Sequence, residues 1–135
     1  MKYLVIGLSI LAVILCLCLL FSLLSNRYLD ECKAPLLEAE SYFPAEDYAS
    51  ILPLLEEAEA SWSVRKNFFS CILSHSELDC INYAFARLTA YAEEADMAEL
   101  RGNYEELLRM LDHIRGMDEP RYYNILSAFV RPDLP

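Results

Sequence analysis

Residues 3–24, YLVIGLSILAVILCLCLLFSLL, carry no charged side chain. A helix rises about 1.5 Å per residue, so this run spans roughly the 30 Å hydrocarbon core of a bilayer. A cleaved signal peptide would have an apolar core of about 7–15 residues closed by small residues. Here the run is longer, and it exits through Ser22-Leu23-Leu24-Ser25-Asn26, without an A-x-A pattern. The sequence therefore predicts an uncleaved transmembrane anchor over 1–25 and a separate acidic domain over 26–135. Lys2 and the α-amino group flank one side, and Arg27 and Lys33 the other, so the positive-inside count is nearly balanced. A one-pass anchor with so short an N-terminal tail ordinarily leaves that tail in the cytoplasm. The expected location is the cell membrane, with the domain extracytoplasmic. Cys16 and Cys18 lie among leucines in the span and read as small apolar filler.

Charge is confined to the rest of the chain. The 135 residues hold 11 Lys+Arg and 21 Asp+Glu, and every acid lies beyond residue 26. Such a domain repels phosphate, which excludes a sequence-independent nucleic-acid binder. Its abundant Leu, Ile, Phe and Tyr exclude disorder. No H-E-x-x-H, G-x-S-x-G, P-loop or calcium-loop pattern occurs. No cofactor is expected, and no catalytic constellation is recognisable, so a non-enzymatic role is expected.

The periodicity is helical. Leu78, Ile81, Phe85, Leu88, Ala92 and Ala95 are spaced 3, 4, 3, 4, 3, and so are Met97, Leu100, Tyr104, Leu107, Leu111 and Ile114. Leu55, Ala58, Trp62, Arg65, Phe69 and Ile72 repeat the pattern, with Arg65 as its polar intrusion. Each set draws one apolar stripe along a helix. Breakers at Phe43-Pro44 and Ser74-His75-Ser76 divide the domain into helices near 27–42, 46–74, 77–95 and 97–115. Ser76 with Asp79 has capping-box spacing, Asp96 caps the last helix and Gly116 stops it. Pro35 and Pro53 each predict a first-turn position or a kink. Short connections make neighbours antiparallel. The expected fold is all-α: a transmembrane helix, then an antiparallel up-down bundle of three to four helices. The apolar segment Arg121–Val130 is expected to pack back on it.

Topology gathers Cys71, His75, Asp79, Cys80, Asp112 and His113 at one pole of such a bundle. That pole faces the bilayer if the 27–42 helix climbs away from the membrane, and lies distal if that helix simply runs on into the next. Cys71 and His75, four apart, share a helix face and with His113 offer a possible metal set. The plainer alternative has His75 at a helix end and His113 hydrogen-bonding at the core edge. Cys71 and Cys80 flank the turn symmetrically, and an oxidising face would permit a disulfide between them. Helix pairs sit about 8–10 Å apart, whereas the α-carbons of a disulfide lie within roughly 7 Å. Glu56-Glu57-Glu59, Glu93-Glu94-Asp96 and Glu105-Glu106 read as solvated faces. Trp62 falls on a stripe and reads first as a core anchor.

Several runs resemble the DUF4363 family of bacterial proteins. They are Leu54-Leu55-Glu56-Glu57 through Trp62, then Phe69 to His75-Ser76-Glu77-Leu78-Asp79, then Ala86-Arg87-Leu88, Leu111-Asp112-His113-Ile114 and Asn124-Ile125-Leu126. The resemblance implies a membrane-anchored helical domain and points to Trp62, His75, His113 and Asn124. It supplies no activity. Pro53, Cys71 and Cys80 depart from the family pattern, which counts against a thiol chemistry shared by the family.

The sequence thus predicts an accessory or interaction subunit for another envelope membrane protein. Candidate contact residues are Trp62, Phe68, Tyr122, Tyr123, Asn124 and Phe129. A ligand or metal sensor using the Cys/His pole is the alternative.

Overall fold

The computed structural model describes residues 1–118. Four helices account for nearly all of them, and no strand occurs among the described residues. They are α1 (Lys2–Glu40), α2 (Tyr48–Phe69), α3 (His75–Glu93) and α4 (Met97–Asp118), with a 3-10 turn at Phe43–Ala45 between the first two.

α1 is two helices in chemistry and one in backbone. Residues 1–20 are all exposed and almost wholly apolar. From Leu29 the same helix buries Leu29, Cys32, Leu36 and Ala39 completely. The expected short helix near 27–42 is therefore not a separate element: it continues the apolar run without a break. Leu before position 26 and Leu, Ala and Glu after it favour helix, and nothing in Ser22–Arg27 stops one. Pro35 sits inside α1 and Pro53 inside α2. Each removes one helical hydrogen bond.

α1 rises, α2 descends, α3 rises and α4 descends. Antiparallel pairing is read from contacts that close in register. On α1 and α4, Tyr104 donates to Glu40 at 2.9 Å, Lys33 to Asp112 at 2.6 Å, and Arg115 pairs with Asp30. On α1 and α2, Phe68 stacks on Phe21 at 4.7 Å, while nearer the far end Cys32 Sγ meets Ser61 Oγ at 3.5 Å.

The stripes form the core. Leu55, Ala58, Trp62 and Phe69 of α2, Leu78, Ile81, Phe85 and Leu88 of α3, and Leu100, Tyr104, Leu107, Leu111 and Ile114 of α4 are all buried. Ala95 does not belong to its stripe. It lies beyond α3 with φ 56°, a left-handed conformation that reverses the chain into α4. Glu46, with φ 51°, does the same between α1 and α2. These two turns form the distal end, tied together where Tyr48 Oη donates to the Ala95 carbonyl at 3.0 Å.

Caps differ in part from expectation. Asp96 does cap α4, accepting from the Glu99 amide at 3.1 Å. α3, however, begins earlier than Ser76 implies. Ser74 is its N-cap, accepting from the Glu77 amide at 3.3 Å while Glu77 reaches back to the Ser74 amide at 2.8 Å. Ser-x-x-Glu wins over Ser-x-x-Asp because the longer acid spans the reciprocal bond. Gly116 lies within α4 rather than ending it.

Candidate functional site

The pole at the base of the bundle is real, and its residues divide between two surfaces. One is the cleft between α3 and α4, a cavity of about 570 Å³ lined by Leu73, Glu77, Cys80, Ile81, Arg109, Met110, His113 and Ile114 among others. Its floor is the edge of the core: Leu73, Ile81 and Ile114 are buried. Its rim carries Glu77, Arg109 and His113. The α4 side is open at Gly102, where an added β-carbon would touch nothing within 4 Å. The Glu77 carboxyl is held below its ordinary range, first by the Ser74 amide, then by the Ser74 hydroxyl, with a smaller pull from His113 across the cleft. His113 and Glu77 thus face each other over an apolar floor. That chemistry suits an amphipathic side chain or a small ligand of similar character.

The alternative metal set of Cys71, His75 and His113 does not come together. Cys71, His75 and His113 are all exposed, and no group of three or more His, Cys, Asp or Glu able to hold a metal ion occurs among the described residues. Cys71 lies in the turn after α2 and His75 opens α3, so the shared helix face that their four-residue spacing implies does not exist. His75 does not cap the helix either; Ser74 does. The disulfide reading also finds no support in the geometry: Cys71 and Cys80 are both free and exposed thiols. Cys80 lines the α3–α4 cleft, whereas Cys71 does not.

The second surface is where the bundle meets the apolar half of α1. Phe68, in the last turn of α2, stacks on Phe21 and meets Tyr28 edge-on at 5.1 Å and Phe69 at 5.3 Å. Arg65 lies over the Tyr28 ring at 5.4 Å and pairs with Glu31. The polar intrusion in the α2 stripe is therefore matched by an acid on α1. Arg27 donates to Glu31 at 3.0 Å from the other side. These two guanidinium groups, Arg27 first, hold the Glu31 carboxyl below its ordinary range against the opposing effect of burial. At the next position, burial pushes the Cys32 thiol up.

Trp62 is a core residue, 1% exposed, and so is not available as a contact residue. It stacks between Phe69 at 5.4 Å and Phe85 at 6.2 Å, and its indole donates to Asn82 Oδ1 at 2.9 Å. Phe68 is half-buried in the aromatic belt. Tyr122, Tyr123, Asn124 and Phe129 lie outside the described residues. Sequence reasoning missed Glu31, Asn82, Arg109 and Met110. Arg109 and Met110 flank the α4 stripe, a position visible in the sequence. Glu31 and Asn82 act through partners 34 and 20 residues away, which periodicity does not report.

A protein-family model described as "Domain of unknown function (DUF4363)" matches residues 22–125. No curated protein and no solved structure matches the chain.

Proposed function

Since the chain belongs to the DUF4363 family, whose description assigns no activity, we propose a role from the shape and charge of the domain: a membrane-tethered, non-catalytic interaction module serving another envelope membrane protein. The observation that carries this reading is the unbroken α1. One helix is long and apolar enough at its N-terminal end to cross a membrane, and the same helix is a full member of the bundle from Leu29 onward. No flexible linker intervenes. A rigid connection fixes the height and tilt of the bundle, which is useful to a scaffold.

The distal end is rich in acids. Residues 38–59, at the distal end, hold seven acids and no base. Toward the apolar segment, Arg27, Lys33, Arg65 and Arg115 are paired with Glu31, Asp112 and Asp30, so charges of both signs meet there. From position 25 to Glu40 the helix rises roughly 23 Å at 1.5 Å per residue. A partner meeting the distal end would present basic residues. The extracytoplasmic side is the one proposed for the domain.

The test is crosslinking of intact membranes carrying the tagged full chain, followed by mild detergent extraction and identification of what co-purifies. A stoichiometric membrane protein that is lost from the Glu56→Gln/Glu57→Gln/Glu59→Gln variant, with the helical signal retained, is the expected result. Recovery of the chain alone would overturn the proposal.

A further inference from the structure

Small side chains leave the cleft between α3 and α4 open. Ser76 and Cys80 of α3 and Gly102 of α4 line it. Glycine inside a helix costs about 1 kcal/mol relative to alanine, and no neighbouring element demands it here, since a β-carbon at Gly102 would meet nothing within 4 Å. What the glycine does is keep space. The resulting cavity of about 570 Å³ is of the size that takes a small molecule, roughly 300–1,000 Å³. Its floor is apolar: Leu73, Ile81 and Ile114 are buried and Met110 is half-buried.

The charges on the rim are not equally available. Glu77 is engaged by Ser74, whose amide donates to it at 2.8 Å and whose hydroxyl donates at 2.7 Å. Glu106 pairs with Arg87 at 3.6 Å. Arg109 and His113 line the same cleft and form no ion pair among the described residues. They lie four apart on α4, so they project from one face, one turn from each other.

We infer that the α3–α4 cleft binds a single-chain amphiphile with a carboxylate head, of the fatty-acid type, its chain on Leu73, Ile81, Met110 and Ile114 and its head on Arg109 and His113. A guanidinium presents a planar fork that matches a carboxylate bidentately, and an imidazole N–H adds a third donor. A cationic head would meet Arg109 with like charge and find both acids already engaged. An uncharged molecule would use the floor and leave the fork unused. The cleft also lies at the end of the bundle that adjoins the apolar run of α1, where Phe68 stacks on Phe21 at 4.7 Å. An amphiphile held in a bilayer around that run is therefore close to it. The acidic distal end takes no part, so this inference stands or falls separately from the partner proposed above.

The experiment places the full chain in nanodiscs of zwitterionic phosphatidylcholine and uses octanoate as the probe. Alkylation of Cys80 and Cys71, both free and exposed, is followed by mass spectrometry of the labelled peptides. Cys80 lines the cleft and Cys71 does not, so Cys71 is the internal control. At octanoate about ten times its Kd, the unoccupied fraction falls about tenfold, and Cys80 labelling should slow to match while Cys71 is unchanged. Octylamine and octanol should protect far less. Arg109→Gln should remove most of the protection by octanoate. Gly102→Leu, which fills the cleft and raises helix propensity, should remove it with the helical circular dichroism signal retained. No protection of Cys80, or equal slowing of Cys71, would overturn the inference. Equal protection by octanol would overturn the assignment of the head to Arg109 and His113. Protection that persists in both variants would place octanoate elsewhere and overturn it too. A Cys80 already unreactive before octanoate is added would show the cleft filled by the chain itself or by a second copy, and would overturn it likewise.

Discussion

Replacing Trp62 tests the packing argument most directly. The side chain is 1% exposed, stacked on Phe69 and Phe85, with its indole nitrogen 2.9 Å from Asn82 Oδ1. Two contributions can be separated. Trp62→Ala removes the whole ring and leaves a cavity, at an expected cost of about 3–5 kcal/mol. Trp62→Phe keeps most of the apolar burial but loses the hydrogen bond, at a cost of about 1 kcal/mol for the bond and about 1–2 kcal/mol more for the space the smaller ring leaves. Asn82 is half-buried, so its amide recovers part of its hydration when the indole goes, which keeps the bond near the lower end of the range. A double-mutant cycle of Trp62→Phe with Asn82→Ala isolates that bond, with an expected coupling of about 0.5–1 kcal/mol. The assay is urea denaturation of the full chain in detergent, followed by far-ultraviolet circular dichroism. The apolar half of α1 stays helical in the micelle, so the transition reports the bundle. At about 4–8 °C per kcal/mol for a domain of this size, Trp62→Ala should also lower Tm by more than about 10 °C. A loss under about 1 kcal/mol for Trp62→Ala would refute the central role given to this ring. Zero coupling in the cycle would refute the hydrogen bond alone.

Three further outcomes are expected. Ser74→Ala should destabilise by about 1 kcal/mol, whereas Ser76→Ala should change stability by less than about 0.5 kcal/mol; equal effects would relocate the cap. Glu31 has a carboxyl held below its ordinary value of 4.5 by Arg27 and Arg65. Its contribution is therefore fully present above that ordinary value and is lost as pH falls through the lowered folded value. Glu31→Gln should flatten the acid limb of a stability-against-pH curve, and an unchanged limb would show the pairing to be inconsequential. In the folded chain Cys71 and Cys80 should react quickly with a small alkylating agent, and Cys32, buried with its thiol pushed up, should react only on unfolding. Mass spectrometry of the labelled peptides decides it, and prompt labelling of Cys32 would contradict its burial.

Much of the architecture was legible in the residue pattern, because apolar spacing reports which face of a helix must leave water whatever it then touches. The uncharged run, the three stripes and the acidic cap at Asp96 needed no knowledge of neighbours. Where the pattern misled, the deciding interaction was either a local competition or a distant pair. The α3 start moved from Ser76 to Ser74 because Glu77 completes a reciprocal cap that Asp79 does not. Ala95 fits the 3–4 spacing yet is a turn residue, since a chain that must reverse into α4 needs a left-handed position there.

The Cys/His pole shows the limit most clearly. Sequence and topology placed Cys71, His75, Cys80 and His113 at one end of the bundle, and they are there. Whether they share a site depends on where each helix carries its side chain: all four are exposed, but only Cys80 of α3 and His113 of α4 line the cleft, while Cys71 and His75 lie at the turn outside it. Arg65 carries the same lesson in reverse. Taken along the chain it is a flaw in an apolar stripe; the fold brings Glu31 and Tyr28 of α1 against it. Residue order was enough to establish one segment able to cross a membrane and several helices with apolar faces to bury. That anchor and bundle share one unbroken helix, and which polar groups meet, emerged only in three dimensions, because both depend on contacts between residues far apart in the chain.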